Sequence, residues 1–419
     1  IGTIARSGTK AFLESMKKSQ ESGAKAGPEL IGQFGIGFYS AFMVADKVEI
    51  DTKKAGSDAI ATHWTSDGQS TYTIDDGVRT SQGTTITLHL KSEDKSYLDF
   101  WKIDSIIKKY SDFIEHPIKM QRKTKKDDKD VLEDTTLNSM KAIWLRPENE
   151  VTEEEYKTFF SHLSHYGSEP FKRISFSAEG KSEFKALLFI PKAMPPEFLF
   201  NQAEAGKGVQ LYVRRVFITN DCPGLIPPYL RFVKGVIDSS DLPLNVSREM
   251  LQDNPQVLLI NKNVTRRLLS DLKSCMDKER ASYETFYHEF GRFLKEGVHT
   301  DFSNKEKLQD LLLFESMKSP AGKLITLKDY VDAMPAEQKE IYCIVGDSRA
   351  ALEASPHLEL LKSKGFDVLF MTDPIDEWVV ESLREYSGKH LKSVSKGKVE
   401  LDEKTQKELD EKTQKAATE

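Results

Sequence analysis

Residues 32–40 read Gly-Gln-Phe-Gly-Ile-Gly-Phe-Tyr-Ser, three glycines in six positions ahead of an apolar run that ends at Val44. This pattern constrains the chain more than any other. Glycine lets the backbone come close to an anion, and the first turn of a helix offers unpaired N–H groups with a partial positive charge. The stretch therefore predicts a glycine loop opening a helix. Two readings stay open on these residues alone, a structural turn and a phosphate cradle, because the spacing is neither the dinucleotide order nor the lysine-bearing phosphate loop.

The 419-residue chain is too long for one core and predicts about three globular units. With 30% charged residues and no apolar run of spanning length, a membrane span is not expected. A net charge of −6 argues against general affinity for nucleic acid. Cys222, Cys275 and Cys343 stand far apart in no metal-ligand spacing, so they read as ordinary thiols in a reducing compartment, and no metal site is expected from them. Ile1 stands where a methionine would open a complete chain and residues 1–7 make no signal peptide, so a piece of a longer protein is expected.

In chain order, residues 9–19 predict a short amphipathic helix, and the polar, glycine-containing residues 20–28 predict a mobile loop, a lid candidate beside the glycine motif. Strands are expected at 47–51, 63–64, 71–74 and 84–90 in an antiparallel sheet, followed by a helix over 97–113 with Trp101, Ile103, Ile106, Ile107 and Tyr110 inward. His63 and His89 read as strand-surface residues. The run 122–130 has no apolar residue and predicts a solvated turn or interdomain linker.

A new pattern begins at Lys141, with a strand over 141–146 and then a helix capped by Thr152, with Glu155 completing a capping box. Strands are expected at 174–178, 184–190 and 209–218, and a helix at 229–237. The loop between Pro191 and Gly208 carries Met194, Phe198, Leu199 and Phe200 without periodicity, which fits packing beneath the loop or an apolar contact surface. Asp241 to Gln252 is an extended, proline-containing stretch entering a helix at Ser247. Its Arg248 fits either a surface ion pair or a guanidinium presented to a phosphate, whose oxygens match its forked donors.

A long helical region is expected as far as Phe314, with stripes at Val264, Leu268, Leu272 and Met276, at Phe286, Phe290 and Phe293, and at Leu308, Leu311 and Leu312. Thr326 then caps a further helix. Strand 341–345, helix 349–362 and strand 367–371 make a βαβ unit with a parallel pair. The end repeats Glu-Leu-Asp-Glu-Lys-Thr-Gln-Lys at 400–407 and 408–415, a solvated helix or linker.

Taken together, Ile1 to Lys10, Ile31 to Ser40, Gly83-Thr84, Leu211 to Ile218, Asp241 to Gln252, Ser355 to Leu361 and Ile375-Asp-Glu-Trp378 resemble, in the same order, the ninety-kilodalton heat-shock chaperone family, most closely its bacterial form. The short segment at 122–130, unlike the long acidic linker of eukaryotic cytosolic members, points the same way. The resemblance covers nearly the whole chain and implies a multidomain α+β and α/β protein. It would comprise a partial ATPase sandwich of the gyrase, chaperone, histidine-kinase and MutL type with its lid (residues 1–133), a large α/β middle subdomain bearing a catalytic-arginine loop (134–300), a helical connection with a small βαβ-containing subdomain (301–395), and a charged tail (396–419).

The same resemblance implies an ATP-driven chaperone. Gly32, Gln33, Phe34, Gly35, Ile36, Gly37 and Phe38 would cradle the phosphates of ATP or ADP, Thr84 would support the adenine pocket, and Arg6 would lie beside the nucleotide. Arg248 would reach the γ-phosphate, with Asn245 and Gln252 holding its loop. The family's general-base glutamate, its Mg2+-binding asparagine and its adenine-reading aspartate would precede Ile1, so weak or no hydrolysis is expected of these residues alone. Client proteins would meet Phe198, Leu199, Phe200 and Trp378. Co-chaperones and a homodimer formed through a further carboxy-terminal domain are implied, in the bacterial cytoplasm or, alternatively, an organellar matrix. An ATP-independent protein-binding module is the alternative function, and a related DNA-acting ATPase a third that the acidic balance disfavours.

Overall fold

The computed structural model describes residues 37–394 except 57, 59, 70, 127–128, 165–168, 181, 197, 199–206, 243–250 and 252–253. The described residues divide into two compact units, one within 37–146, 211–219 and 238–242, the other within 147–210, 220–237 and 251–394. The architecture mixes helices with several sheets.

The first unit opens with a 3-10 helix, Gly37–Met43, rather than an α-helix. Strands β1 (Ala45–Lys53), β2 (Ala61–Ser66), β3 (Tyr72–Gly77) and β4 (Gly83–Leu90) follow, in a sheet of order β3-β2-β1-β4 with every pair antiparallel, as expected. Helix α1 (Phe100–Tyr110) starts at Asp99, whose carboxylate accepts the Lys102 N–H at 2.9 Å. It is shorter than expected and buries none of its residues. Trp101 and Tyr110 are exposed, the first beneath the Arg122 guanidinium at 4.7 Å and the second edge-on to Phe217. The expected linker at 122–130 is instead part of a hairpin, β5 (Lys119–Lys126) with β6 (Lys129–Thr136). Backbone ladder bonds do not require apolar side chains, so charge alone did not reveal these strands.

In the second unit, α2 (Glu153–Ser164) begins at the expected capping box: the Glu155 N–H donates to Thr152 Oγ1 at 3.2 Å and the Thr152 N–H to Glu155 Oε2 at 3.0 Å. Strands β7 (Pro170–Ala178) and β8 (Phe184–Pro191) pair antiparallel. The expected strand over 209–218 is a hairpin, β9 (Val209–Val213) and β10 (Val216–Thr219), which turns on Arg214 and Arg215 at φ 49° and 65°. This turn belongs to the first unit. The expected helix at 229–237 is a 3-10 turn followed by strand β11 (Lys234–Ser239), every residue of which is buried. A continuously buried run of this length is a central strand, and Gly235, at φ 152°, runs against β8 so closely that a Cβ would lie 2.4 Å from the Leu187 carbonyl oxygen. Likewise the expected strand at 141–146 is a single 3-10 turn, Ile143–Leu145.

Helices α3 (Pro255–Lys278), α4 (Arg280–Thr300) and α5 (Lys305–Gln309) bury the first two expected stripes and Leu308; Leu311 and Leu312 of the third are buried as well but follow the end of α5. The helical region ends before Leu313, where strand β12 (Leu313–Ser316) starts. After β13 (Ile325–Thr326) and α6 (Leu327–Asp332), strand β14 (Ile341–Val345) leads to α7 (Arg349–Glu353) and α8 (Glu359–Ser363), one expected helix interrupted at Ser355-Pro356 because proline lacks the N–H and clashes with the preceding turn. Strand β15 (Leu369–Met371), helix α9 (Asp376–Leu383) and strands β16 (Glu385–Tyr386) and β17 (Lys389–Ser393) complete a six-stranded sheet of order β13-β12-β15-β14-β17-β16. The parallel β14–β15 pair is as expected; a second parallel pair, β14–β17, was not.

Candidate functional site

Arg6, Gly32, Gln33, Phe34, Gly35, Ile36, Leu199, Phe200, Asn245, Arg248 and Gln252 lie outside the described residues, as does the repeated tail. Gly37, Phe38, Thr84, Phe198 and Trp378 are described.

Gly37 and Phe38 open the 3-10 helix that lies on one face of the four-stranded sheet. The Phe38 ring meets Trp64 edge-on at 5.6 Å and packs, with Ala41 and Phe42, on buried Ala45, Val48, Ile50 and Trp64. Side chains directly opposite in an antiparallel pair share a face. Ile50 stands opposite Trp64 and Ile86, and Trp64 opposite Ile74, so these four form one row; Thr52, Thr62, Asp76 and Thr84 form the row beside it. The face that receives Phe38 therefore also presents Thr84. Its hydroxyl is 2.8 Å from Thr52 Oγ1 and remains exposed. Among the described residues, no atom lies within 4 Å of the position a Cβ would take on Gly37. The opposite face is polar: His63 Nδ1 lies 3.0 Å from Asp51, and Lys47, at 2.5 Å, and His89 flank Glu49, whose carboxyl they hold below its ordinary value. Both histidines are thus strand-surface residues, as expected.

The hairpin Leu211–Ile218 is shaped by a residue that the sequence did not single out. Arg215 donates its backbone N–H to the buried Asp238 carboxylate at 3.2 Å, and the Trp144 indole donates to the same group at 2.9 Å. Burial raises the Asp238 carboxyl above its ordinary value, against the lowering effect of these donors. Positive φ at both central residues would ordinarily favour Asn or Gly. Here the Asp238 acceptor helps hold two arginines in that conformation.

In the second unit, Phe198 is half-buried and meets Phe293 edge-on at 5.5 Å, so it is tied to the α4 core. Trp378, on α9, is 57% exposed and touches only the His299 ring among described aromatic side chains, at 5.3 Å. A cleft of about 580 Å3 lies between α4, β12 and β15. Its floor holds Lys295, whose Nζ reaches Asp373 Oδ2 at 2.6 Å and Asp376 Oδ1 at 2.8 Å, and Tyr287, whose hydroxyl is pushed up to about 12 by burial. Burial opposes the Lys295 charge, but Tyr287, Asp376 and Asp373 outweigh it, so the amine stays charged. Among the described residues no group of three or more His, Cys, Asp or Glu side chains could hold a metal ion, and no helix is long and apolar enough to cross a membrane.

A family model described as Hsp90 protein matches residues 119–419. Chaperone protein HtpG of Geobacter metallireducens is 55% identical over 413 residues, an alignment covering 95% of this chain and 63% of that protein. The proteins of the same name from Bdellovibrio bacteriovorus and Mycolicibacterium vanbaalenii are 52% identical over 408 residues and 48% over 418, each covering 96% of this chain and 62% or 63% of the relative. The chain thus spans somewhat under two thirds of the length of these relatives.

Proposed function

This chain belongs to the Hsp90 protein family, and on that premise we propose that the whole protein is an ATP-dependent molecular chaperone that captures unfolded or partly folded client proteins and couples ATP binding and hydrolysis to domain closure. The observation that supports this most is the 55% identity over 413 residues to proteins named chaperone HtpG.

In this reading residues 1–133 form the nucleotide domain with its lid, 134–300 and 301–395 the two middle subdomains, and 396–419 a charged connection. Gly32 to Phe38 hold the phosphates of ATP or ADP, Arg6 lies beside the nucleotide, and Thr84 supports the base. The described part of that set is compatible with a nucleotide: no described atom fills the space where a Cβ would stand on Gly37, and the Thr84 hydroxyl, positioned by Thr52, lies exposed on the face that carries Phe38. Bound with Mg2+, ATP supplies the phosphoanhydride whose cleavage releases the closed state. Arg248 neutralises charge on the γ-phosphate, and Asn245 and Gln252 hold its loop; a guanidinium delivered from a second domain makes turnover conditional on closure. Phe198, Leu199, Phe200 and Trp378 are the client-contact residues; of these Trp378 presents an exposed ring, and an exposed aromatic buries much area at little cost in side-chain freedom. Co-chaperones, a homodimer and the bacterial cytoplasm complete the reading.

The test is ATP hydrolysis by the whole protein, measured alongside its suppression of aggregation of a chemically unfolded protein. Both activities are expected, with suppression changed by nucleotide. Suppression that ignores nucleotide, without turnover, would replace this reading with that of an ATP-independent binding module.

A further inference from the structure

We propose that the cleft between the β7–β8 turn and helix α3 is a binding site for a phosphate monoester, separate from the nucleotide site. Phe176, Ser177, Ala178, Glu179 and Ser182 form one wall. Leu259, Asn263, Arg266, Arg267 and Ser270 form the other. Their spacing along α3 puts these five on one helical face. The volume, about 680 Å3, falls within the usual range of small-molecule sites, about 300–1,000 Å3, and exceeds what a bare oxyanion fills.

Three features select the ligand chemistry. Arg266 has no carboxylate partner among the described residues; Asn263 Oδ1 accepts its Nη2 at 2.7 Å and orients the planar group, leaving other guanidinium donors for a ligand. Arg267, which lines the same cleft, is fixed from two sides, by Asp271 at 2.6 Å from its Nε and by the Phe176 ring at 5.6 Å. Ser182 is only 4% exposed, and its Oγ has no hydrogen-bond partner among the described residues. An unsatisfied buried hydroxyl needs an explanation, and a ligand oxygen supplies one. Two arginines lining one cleft, with the hydroxyl-bearing Ser177, Ser182 and Ser270, match a tetrahedral, doubly charged oxyanion, for which forked N–H donors are the strongest neutralising partners. The lining includes one carboxylate, Glu179, and Asp271 pairs with Arg267, so Arg266 is the cleft's arginine without a carboxylate partner among the described residues, in a chain whose net charge is −6.

The experiment is calorimetric titration of the full chain with phenyl phosphate, and with a phosphoserine peptide beside its unphosphorylated twin, combined with hydrogen exchange to locate the site. Saturable binding with Kd at or below about 1 mM is expected, weakened about tenfold in Arg266→Gln and in Arg267→Gln. Protection is expected at residues 176–182 and 259–270. Equal affinity for both phosphorylated probes assigns the site to small phosphates; tighter binding of the peptide assigns it to phosphorylated protein segments. Protection confined to other regions, or affinity unchanged in both arginine variants, would overturn the proposal. If an arginine variant does not fold, Ser182→Ala and the wild-type exchange map decide.

Discussion

Lys295 Nζ lies 2.8 Å from Asp376 Oδ1, with the two side chains 5% and 0% exposed. Asp373 adds a second carboxylate at 2.6 Å from the outer side, and the Asp376 carboxylate also accepts the Asp373 backbone N–H at 3.0 Å. The pair thus joins the long helix α4 to the start of α9.

Removing one partner leaves the other charge buried and unpaired. Lys295→Met is expected to cost about 3–5 kcal/mol of stability, read from urea denaturation. The double variant Lys295→Met with Asp376→Leu should recover most of that loss, because the desolvated charge is gone. Equal losses in the single and double variants would mean that packing alone matters there.

Gly235→Ala tests the reading of residues 234–239 as a central strand. The new Cβ would lie 2.4 Å from the Leu187 carbonyl oxygen at a backbone angle that disfavours any side chain. A loss of about 3 kcal/mol or more, or failure to fold, is expected. A helix at this position would tolerate alanine.

Asp238 supplies a pH test. Burial raises its folded-state carboxyl above 3.8, despite the Trp144 and Arg215 donors. The folded state therefore binds more protons than the unfolded state between 3.8 and that higher value, so stability falls as pH rises through this window and is flat above it. Asp238→Asn keeps an acceptor for Trp144 and removes the titration. The stability of the wild type relative to this variant, measured by denaturation from acid to neutral pH, should decline as pH rises.

The misread segments share a cause with Gly235 and Asp238. The four-stranded sheet, the Thr152 cap and the α3 and α4 stripes were legible because alternation, capping and 3.6-residue periodicity are local signals. Residues 229–237 have no polar alternation, and the strand that starts within them at Lys234 is set by its neighbour β8, far away in sequence. The turn at Arg214-Arg215 depends on a carboxylate at 238, and the Lys295 cluster joins residues about eighty positions apart. Charged strands at 119–136 are visible only through their pairing. Of the candidate site, the glycine and arginine motifs were legible as motifs, whereas the shared face of Phe38 and Thr84 required the register.

Trp378 and Phe198 should separate when tested for client contact. Trp378→Ala removes an exposed ring, so stability should stay within about 0.5 kcal/mol while affinity for an unfolded protein falls about tenfold. Phe198→Ala also removes an edge contact with Phe293 and should lower stability as well. Unchanged client affinity in Trp378→Ala would remove that residue from the contact surface.

The most direct test of the central claim is steady-state ATP turnover by the whole protein with Arg248→Ala, measured alongside nucleotide affinity. A fall in turnover of at least about a hundredfold with nucleotide affinity nearly unchanged is expected, since the guanidinium acts on charge developing at the γ-phosphate rather than on ground-state binding. Turnover equal to that of the wild type would contradict the account.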